Sequence, residues 1–321
     1  MEYFDQAEMH ILCLLDGKPG HEKQTFGIIR ALGEKFPIKV TEIKVTHHSL
    51  WHSFWKMICL NMPFYRFQGQ EITDPDLLIC TGSGTHLQTL LYKKKYTIPA
   101  VTCMAPDFIF RSRFDLCFVP VHDGFKQREN IVTTVGPPNC SINRNNHKEK
   151  NGLILLGGID QRSHRWNSLK IAEKIDKIIE RECETEWMIS SSPRTPEDMI
   201  LRLEKMSSHN PRVSFYNYKN TPHGWLEEQY DKSAVVWVTA DSVSMVYEAL
   251  TAGCKVGVIP VDWNKKVNKF KKSVAFLADN GFILSYDTWV EQKGDWSEHE
   301  ILNEAQRCAD IIMRRLWKKN S

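Results

Sequence analysis

The sequence predicts an α/β protein built as two Rossmann-like, doubly wound domains that face each other across a cleft. Three observations carry that expectation. Apolar runs of strand length alternate with segments of helical periodicity, the pattern of a parallel sheet covered by helices on both faces. The alternation runs twice with a polar stretch between, and 321 residues suffice for about two cores of ordinary size. In the first half, strands are expected at 11–15, 38–45, 77–81, 100–104, 116–120 and 131–135, with helices at 22–36 and 85–96. Residues 137–151 carry two prolines and several Asn and Lys, and read as the linker. The second half has expected strands at 152–158, 186–190, 213–218, 234–239, 256–261 and 282–285. Its helices are expected at 166–181, 197–207, 222–230, 242–251, 267–280 and 297–318. Domains of 1–143 and 144–321 follow, with the last helix a candidate for crossing back onto the first domain.

Composition narrows the function. Hydrophobic residues at 42% and charged residues at 25% match a soluble globular protein. With 42 basic against 39 acidic residues the formal charge is +3, too even for nucleic acid to be the main partner. The basic runs at 93–95, 265–272 and 314–319 read as solvated helix faces. Nine cysteines without a CxxC pair, several of them inside apolar strands, read as small core residues of a protein in a reducing cytosol. The first ten residues are acidic and polar, and no stretch approaches the ~20 apolar residues of a membrane span. The segment from Trp51 to Phe67 gathers two Trp, three Phe and a Tyr among basic residues, a mixture suited to the interface plane of a membrane. A helical pair packed on the first domain explains it equally. The expected location is cytoplasmic, peripheral on the inner face of the cytoplasmic membrane.

The most informative passage runs from Val238 to Pro260 and reads as strand, small polar turn, helix and second strand. Asp241, Ser242 and Ser244 supply cap and hydroxyl chemistry where the helix begins, and Gly253 stops it. Free N–H groups and the positive dipole end there suit an anion. Glu248 follows within two turns, placed to accept hydrogen bonds from ribose hydroxyls. An ordinary capped helix with a solvated Glu is the other reading.

Further turns follow other strand ends. Asp16-Gly17-Lys18-Pro19-Gly20-His21 lacks the spacing of a P-loop and of a dinucleotide fingerprint. What remains is a turn in which Gly17 and Gly20 permit close backbone approach and His21 projects toward the cleft as a base. A turn-stabilising histidine is the alternative, with Asp107 or Asp123 as the base instead. Gly82, Ser83 and Gly84 form a second glycine turn, and His122 with Asp123 stand beyond another strand end, where a plain Asx turn is equally expected. With Gly17, Lys18 and Gly20, these residues other than Asp123 make up the expected acceptor side. In the second half, Gly157 and Gly158 follow one strand, and the run from Ser190 to Thr195, with Arg194, follows the next. Phosphates and base of a donor would approach there, with Arg194 forking onto a diphosphate.

Three passages together resemble a known family: 14–24, 75–85 and 238–248. They are similar to the mitochondrial-fission Elm-like family, which includes lipooligosaccharide outer-core glycosyltransferases, and the third passage is the most specific. That family is similar in turn to GT-B glycosyltransferases such as the lipid II N-acetylglucosaminyltransferase. The resemblance implies a GT-B-like fold, Ser242 and Ser244 on the diphosphate, Glu248 on the ribose, and a histidine of the first loop near the reacting centre. Met245 completes the expected donor set beside Asp241 and Ser244. Tyr247 departs from the family, many of whose members have a small residue there.

The resulting expectation is a glycosyltransferase that moves a sugar from a nucleotide donor, expected to be UDP-linked, to a lipid-linked or lipopolysaccharide core acceptor. No cofactor and no metal is expected, because helix-end N–H groups with an Arg can stabilise a diphosphate. The alternatives are a sugar-nucleotide epimerase on the same fold and a non-catalytic, membrane-recruited adaptor.

Overall fold

The computed structural model describes residues 8–45, 58, 60–62, 67–264, 269–292, 296 and 301–317. Of the aromatic segment from Trp51 to Phe67, residues 51–57, 59 and 63–66 lie outside them. The chain forms two compact units, Met1–Cys140 with Asn303–Ser321, and Ser141–Leu302.

The first unit contains β1 (Met9–Leu15), α1 (Pro19–Gly33), β2 (Ile38–Lys44), β3 (Leu77–Cys80), α2 (Ser83–Tyr96), β4 (Ala100–Thr102), α3 (Phe108–Arg111), β5 (Leu116–Pro120) and β6 (Ile131–Thr134). Its strands form one parallel sheet in the order β2-β1-β3-β4-β5-β6. Side chains of β1 alternate between two cores, as strand geometry dictates. Met9, Ile11, Cys13 and Leu15 join one, and Leu12 and Leu14 the other.

The second unit contains β7 (Lys148–Leu155), β8 (His164–Arg165), α4 (Ser168–Arg181), β9 (Glu186–Ser190), α5 (Glu197–His209), β10 (Val213–Tyr216), α6 (Trp225–Lys232) and β11 (Ser233–Thr239). It continues with α7 (Val243–Thr251), β12 (Lys255–Ile259), β13 (Asp262–Trp263), α8 (Lys269–Asp279), β14 (Leu284–Ser285) and α9 (Tyr286–Glu291). The parallel sheet runs β10-β9-β7-β11-β12-β14, and β8 pairs with β13 in a small antiparallel ribbon. On α4, Ile171, Ile175, Ile178 and Ile179 fall on one stripe and are buried, each contributing about 1.5–3 kcal/mol. Asn167 caps that helix by accepting from Lys170 N.

The C-terminal helix α10 (Glu304–Leu316) belongs with the first unit. Its apolar face, including Ala305, Cys308, Ala309 and Ile312, packs into the core that holds Ile28 and Leu32 of α1. Lys35 pairs with Asp310 at 2.6 Å, and Arg307 Nη2 donates to Thr133 O at 2.6 Å.

Several boundaries differ from expectation. β7 begins at Lys148 inside the expected linker, because ladder hydrogen bonds to β11 and β9 use the backbone and tolerate the exposed, polar side chains of its first half. The second unit ends at Leu302 rather than running to 321. α10 starts at Glu304, where Asn303 accepts from Gln306 N at 3.0 Å and sets the start. The short α3, α9 and the β8–β13 ribbon were not expected, since four, six and two-residue elements carry no readable period.

Both strand orders reverse direction at one place, between β1 and β3 in the first sheet and between β7 and β11 in the second. At such a point the connections leave in opposite directions, and a crevice opens beyond the carboxyl ends of the two strands.

Candidate functional site

In the second unit, the reversal point is bounded by Gly157 and Gly158 after β7 and by Asp241 and Ser242 after β11. Gly157 N donates to Thr239 Oγ1 at 2.7 Å, and Gly158 N donates to Asp241 Oδ2 at 3.0 Å. A side chain at Gly157 would overlap the Asp241 carboxylate and the Ser242 hydroxyl, and one at Gly158 would strike the backbone of Arg194. Only glycine fits either position. Arg194 Nη2 lies 2.9 Å from Asp241 Oδ2 and donates to Ser242 Oγ at 3.2 Å. The Asp241 side chain is fully buried, while that of Arg194 is 40% exposed, so the guanidinium shows an edge to whatever enters. Asp241 Oδ1 is buried with no hydrogen-bond partner. Such a group is costly unless something supplies a donor.

Ser242 occupies the N-cap of α7, yet its hydroxyl makes no cap bond and accepts from Arg194 instead. The first turn of α7 carries no acidic side chain. Met245 N donates to Ser242 O at 3.0 Å, which leaves the N–H groups of Val243 and Ser244 for an anion. Ser244 is exposed in that turn and Met245 is half-buried. Glu248 is buried in the next turn, and its charge reaches the buried Tyr230, whose phenol is pushed well above its ordinary value mainly by burial. Tyr247 is buried on the same helix with its hydroxyl 2.8 Å from Ser273 Oγ.

The loop after β9 braces this edge. Ser192 Oγ and Thr195 Oγ1 each donate to Gly157 O at 2.6 Å, and Ser192 N donates to Thr195 Oγ1 at 2.8 Å. Thr195, expected on the donor, thus has its hydroxyl hydrogen committed to the loop. Ser190 Oγ, also expected there, lies 3.4 Å from Ser191 O in a buried position. Beyond Gly158, Ser163 Oγ lies 2.8 Å from both Asp160 Oδ2 and His164 Nδ1, while His164 Nε2 lies 2.9 Å from Gly158 O. The Ser163 hydrogen bond holds the Asp160 carboxyl below its usual range.

In the first unit, the reversal point lies between the turn after β1 and the turn after β3. His21 Nδ1 is 2.8 Å from Asp16 Oδ2, whose side chain is 1% exposed against 26% for His21. A carboxylate only accepts, so Nδ1 carries the hydrogen, and the neutral ring then presents its lone pair at Nε2. A side chain at Gly82 would come 2.5 Å from His21 Nδ1 and 2.6 Å from Asp16 Oδ2, and the glycine holds a left-handed φ of 103°. The pair and the turn are therefore packed together. Thr81 Oγ1, 2.9 Å from Thr25 Oγ1, ties the turn to α1. Beneath it His86 is fully buried, its Nε2 3.2 Å from Thr102 Oγ1 and its Nδ1 without a partner. Burial lowers it from 6.5 to about 4; Asp107 opposes that shift and His21 adds to it.

The other expected acceptor residues are placed as follows. Gly17 takes a left-handed φ of 76°, but both Gly17 and Gly20 face open space rather than an approaching backbone. Lys18 N donates to Asp16 Oδ1 at 3.2 Å. Ser83 is exposed and Gly84 half-buried at the start of α2. Asp107 is exposed before α3, and His122 Nε2 lies 3.9 Å from Asp123 Oδ1 in a 3-10 turn closed by Gly124. Sequence reading missed Asp16 as a partner of His21 and the Asp160–Ser163–His164 chain. A carboxylate at a strand end five residues before a histidine, across a tight turn, was the available signal for Asp16.

The profile described as Mitochondrial fission ELM1 matches residues 19–316, most of the chain. The chain belongs to the mitochondrial fission ELM1 family. Within it, the Arabidopsis thaliana protein named mitochondrial fission protein ELM1 is 32% identical over 129 residues, 40% of this chain and 29% of that protein. The match thus spans less than a third of the length of the Arabidopsis relative.

Solved structures share the fold at low identity. A Listeria monocytogenes protein described as a UDP-N-acetylglucosamine 2-epimerase superposes with a TM-score of 0.57 at 14% identity, covering 98% of both chains. The glycosyltransferase of kitacinnamycin gives 0.55 at 13%, covering 97% of this chain and all of that one. The Neisseria meningitidis UDP-GlcNAc 2-epimerase bound to UDP-GlcNAc gives 0.53 at 13%, with the same coverage. At such identities the likeness shows the fold, which is GT-B-like with two doubly wound units. Among the described residues no helix is long and apolar enough to cross a membrane, and no group of His, Cys, Asp and Glu could hold a metal ion.

Proposed function

We propose that this chain transfers a sugar from a nucleotide-sugar donor, expected to be UDP-linked, to a hydroxyl of a lipid-linked or lipopolysaccharide core acceptor without a metal. The constellation of Arg194, Asp241 and Ser242 beside the uncapped start of α7 carries the reading. Asp241 anchors the guanidinium from below, and its exposed edge, the Ser242 and Ser244 hydroxyls and the helix-end N–H groups would take the diphosphate. A leaving diphosphate gains charge as the glycosidic bond breaks, and fixed donors of this kind stabilise that charge. Glu248 would take the ribose hydroxyls. In the first unit, His21 Nε2 would accept the proton of the acceptor hydroxyl, with Asp16 fixing the ring. Contact with the cytoplasmic face of a membrane would come from Trp51 to Phe67.

Nucleotide release across a panel of sugar nucleotides, with and without a glycolipid acceptor, tests the proposal. Release that rises with acceptor is expected. An epimerase would instead convert the nucleotide-linked sugar with no acceptor present, which proton NMR detects. The family name raises the adaptor reading, and a chain that binds no sugar nucleotide in calorimetry and releases none would favour it over the transferase.

A further inference from the structure

A cavity lies in the first unit, away from the turns that hold His21 and Gly82. It has a volume of about 800 Å³, within the usual range for a small-molecule site. Thr97, Ile98 and Pro99 line it just before β4, and Asp115 just before β5, so it opens at the amino ends of the strands. Helices antiparallel to the sheet end there as well: Lys93 and Lys94 come from the last turn of α2, Arg315 and Leu316 from the last turn of α10.

Its charge is one-sided. Among the described lining residues, Lys93, Lys94, Arg113 and Arg315 face a single carboxylate, Asp115. That carboxylate is taken by Lys93 Nζ at 2.7 Å and by Ala100 N at 2.7 Å. The partners described for the two arginines are neutral: Arg113 donates to Asn61 Oδ1, and Arg315 Nη1 donates to Glu129 O at 2.7 Å. Compensation of two helix C-termini explains part of this charge. It does not explain the apolar wall beside it, formed by Leu60, Leu90, Ile98 and Leu316. Leu60 and Leu90 are buried in the core below, so the wall is anchored and not merely a set of surface side chains.

We propose that this cavity binds an anionic amphiphile, a phosphate ester carrying an apolar tail, with Arg113 and Arg315 on the phosphate and the leucines on the tail. The guanidinium fork suits a phosphate, and an anchored apolar wall gains most from a hydrocarbon. A membrane lipid and a soluble phosphorylated metabolite share the anionic part and differ in the tail. The site goes beyond the proposed transfer reaction and does not depend on it.

Calorimetry on the full chain with decyl phosphate, decyl maltoside, inorganic phosphate and glycerol phosphate tests it. Decyl phosphate should bind with one site per chain, at least tenfold tighter than any of the other three. Equal binding of glycerol phosphate would replace the lipid source by a soluble metabolite and overturn the amphiphile. Equal binding of decyl maltoside would overturn the anionic part. The double variant Arg113→Gln, Arg315→Gln should lose at least tenfold in decyl phosphate affinity while keeping nucleotide-sugar binding. If that variant fails to fold by circular dichroism, Leu316→Ser replaces it and should weaken decyl phosphate while leaving inorganic phosphate unchanged. Undiminished decyl phosphate binding in a folded variant overturns the site. Arg194→Ala should leave it intact, which separates failure of this site from failure of the donor site.

Discussion

Replacing Asp16 by Asn removes one charge from a side chain that is 1% exposed and tests whether His21 works as a base. The outcome follows from the two hydrogen bonds that Asp16 accepts, from Lys18 N at 3.2 Å through Oδ1 and from His21 Nδ1 at 2.8 Å through Oδ2. An asparagine has one acceptor and one donor end. Keeping the bond to Lys18 N puts its NH₂ against His21 Nδ1, which must then accept, so the ring hydrogen moves to Nε2. His21 keeps its position but loses the lone pair that would take the acceptor's proton. In the Ser-His-Asp template the same exchange costs about 10⁴ in turnover, and loss of a general base costs about 10² to 10⁴. The expected loss here is about 10²- to 10⁴-fold, or about 3 to 5.5 kcal/mol in the barrier. Steady-state nucleotide release at saturating donor with acceptor present reads it, and donor affinity by calorimetry should hold, since the proposed donor contacts are all in the second unit. His21→Ala should fall by a similar factor, and the double variant should be no slower than the worse single one, because the two residues act as a unit. An Asp16→Asn enzyme with wild-type turnover would refute the base.

Four further outcomes are expected. Arg194→Ala should weaken nucleotide-sugar binding about ten- to a hundredfold, the loss of a charge-assisted hydrogen bond; unchanged affinity in calorimetry would take the diphosphate away from it. Glu248→Ala should weaken the same binding by about 1 to 3 kcal/mol, and equal affinity for every sugar nucleotide would remove the ribose role. His86, lowered from 6.5 to about 4 by burial, is neutral in the fold and protonated sooner when unfolded, so stability should fall as pH drops from about 6.5 to about 4, by about 3 kcal/mol in all. Urea denaturation of a folded His86→Gln variant should show that slope flattened, and an unaltered slope contradicts the assignment. Serine at Trp51, Trp55 and Phe64 should abolish sedimentation with anionic liposomes, and a wild-type chain that does not sediment at low salt would end the membrane contact.

Much of the fold was legible because it depends on long-period signals. Runs such as Leu116–Pro120 and Ser233–Thr239 are apolar over the length of a strand, and α4 repeats isoleucine at helical spacing. Elements set by a few hydrogen bonds were not legible. The ribbon of His164 and Trp263 exists because a distant segment offers a partner, and β7 extends through Lys148 because β11 lies alongside. The candidate site divides the same way. Ser242 and Gly158 stand at strand ends that the pattern reveals, whereas the pairing of Arg194 with Asp241 joins residues 47 positions apart across the crevice. A linear reading placed Thr195 where a donor would approach, and only the structure shows that its hydroxyl hydrogen goes to Gly157 O.

The two reversal points share one local device although their sheets have different strand orders. In each, a carboxylate at the carboxyl end of a strand is buried under a glycine turn from the neighbouring strand: Asp16 against Gly82, and Asp241 against Gly157. In each, the carboxylate holds a basic side chain that keeps an exposed part, His21 at 26% and Arg194 at 40%. A buried charge is costly unless well paired, so neither carboxylate is there for stability alone. Its effect is to fix a ring nitrogen or a guanidinium edge at the mouth of a crevice, and any side chain larger than hydrogen on the turn would displace it. Strand order decides only where the crevice opens. What the crevice can do is decided by which basic group the carboxylate holds, a titratable imidazole suited to moving a proton in one unit and a permanent cation suited to holding an anion in the other.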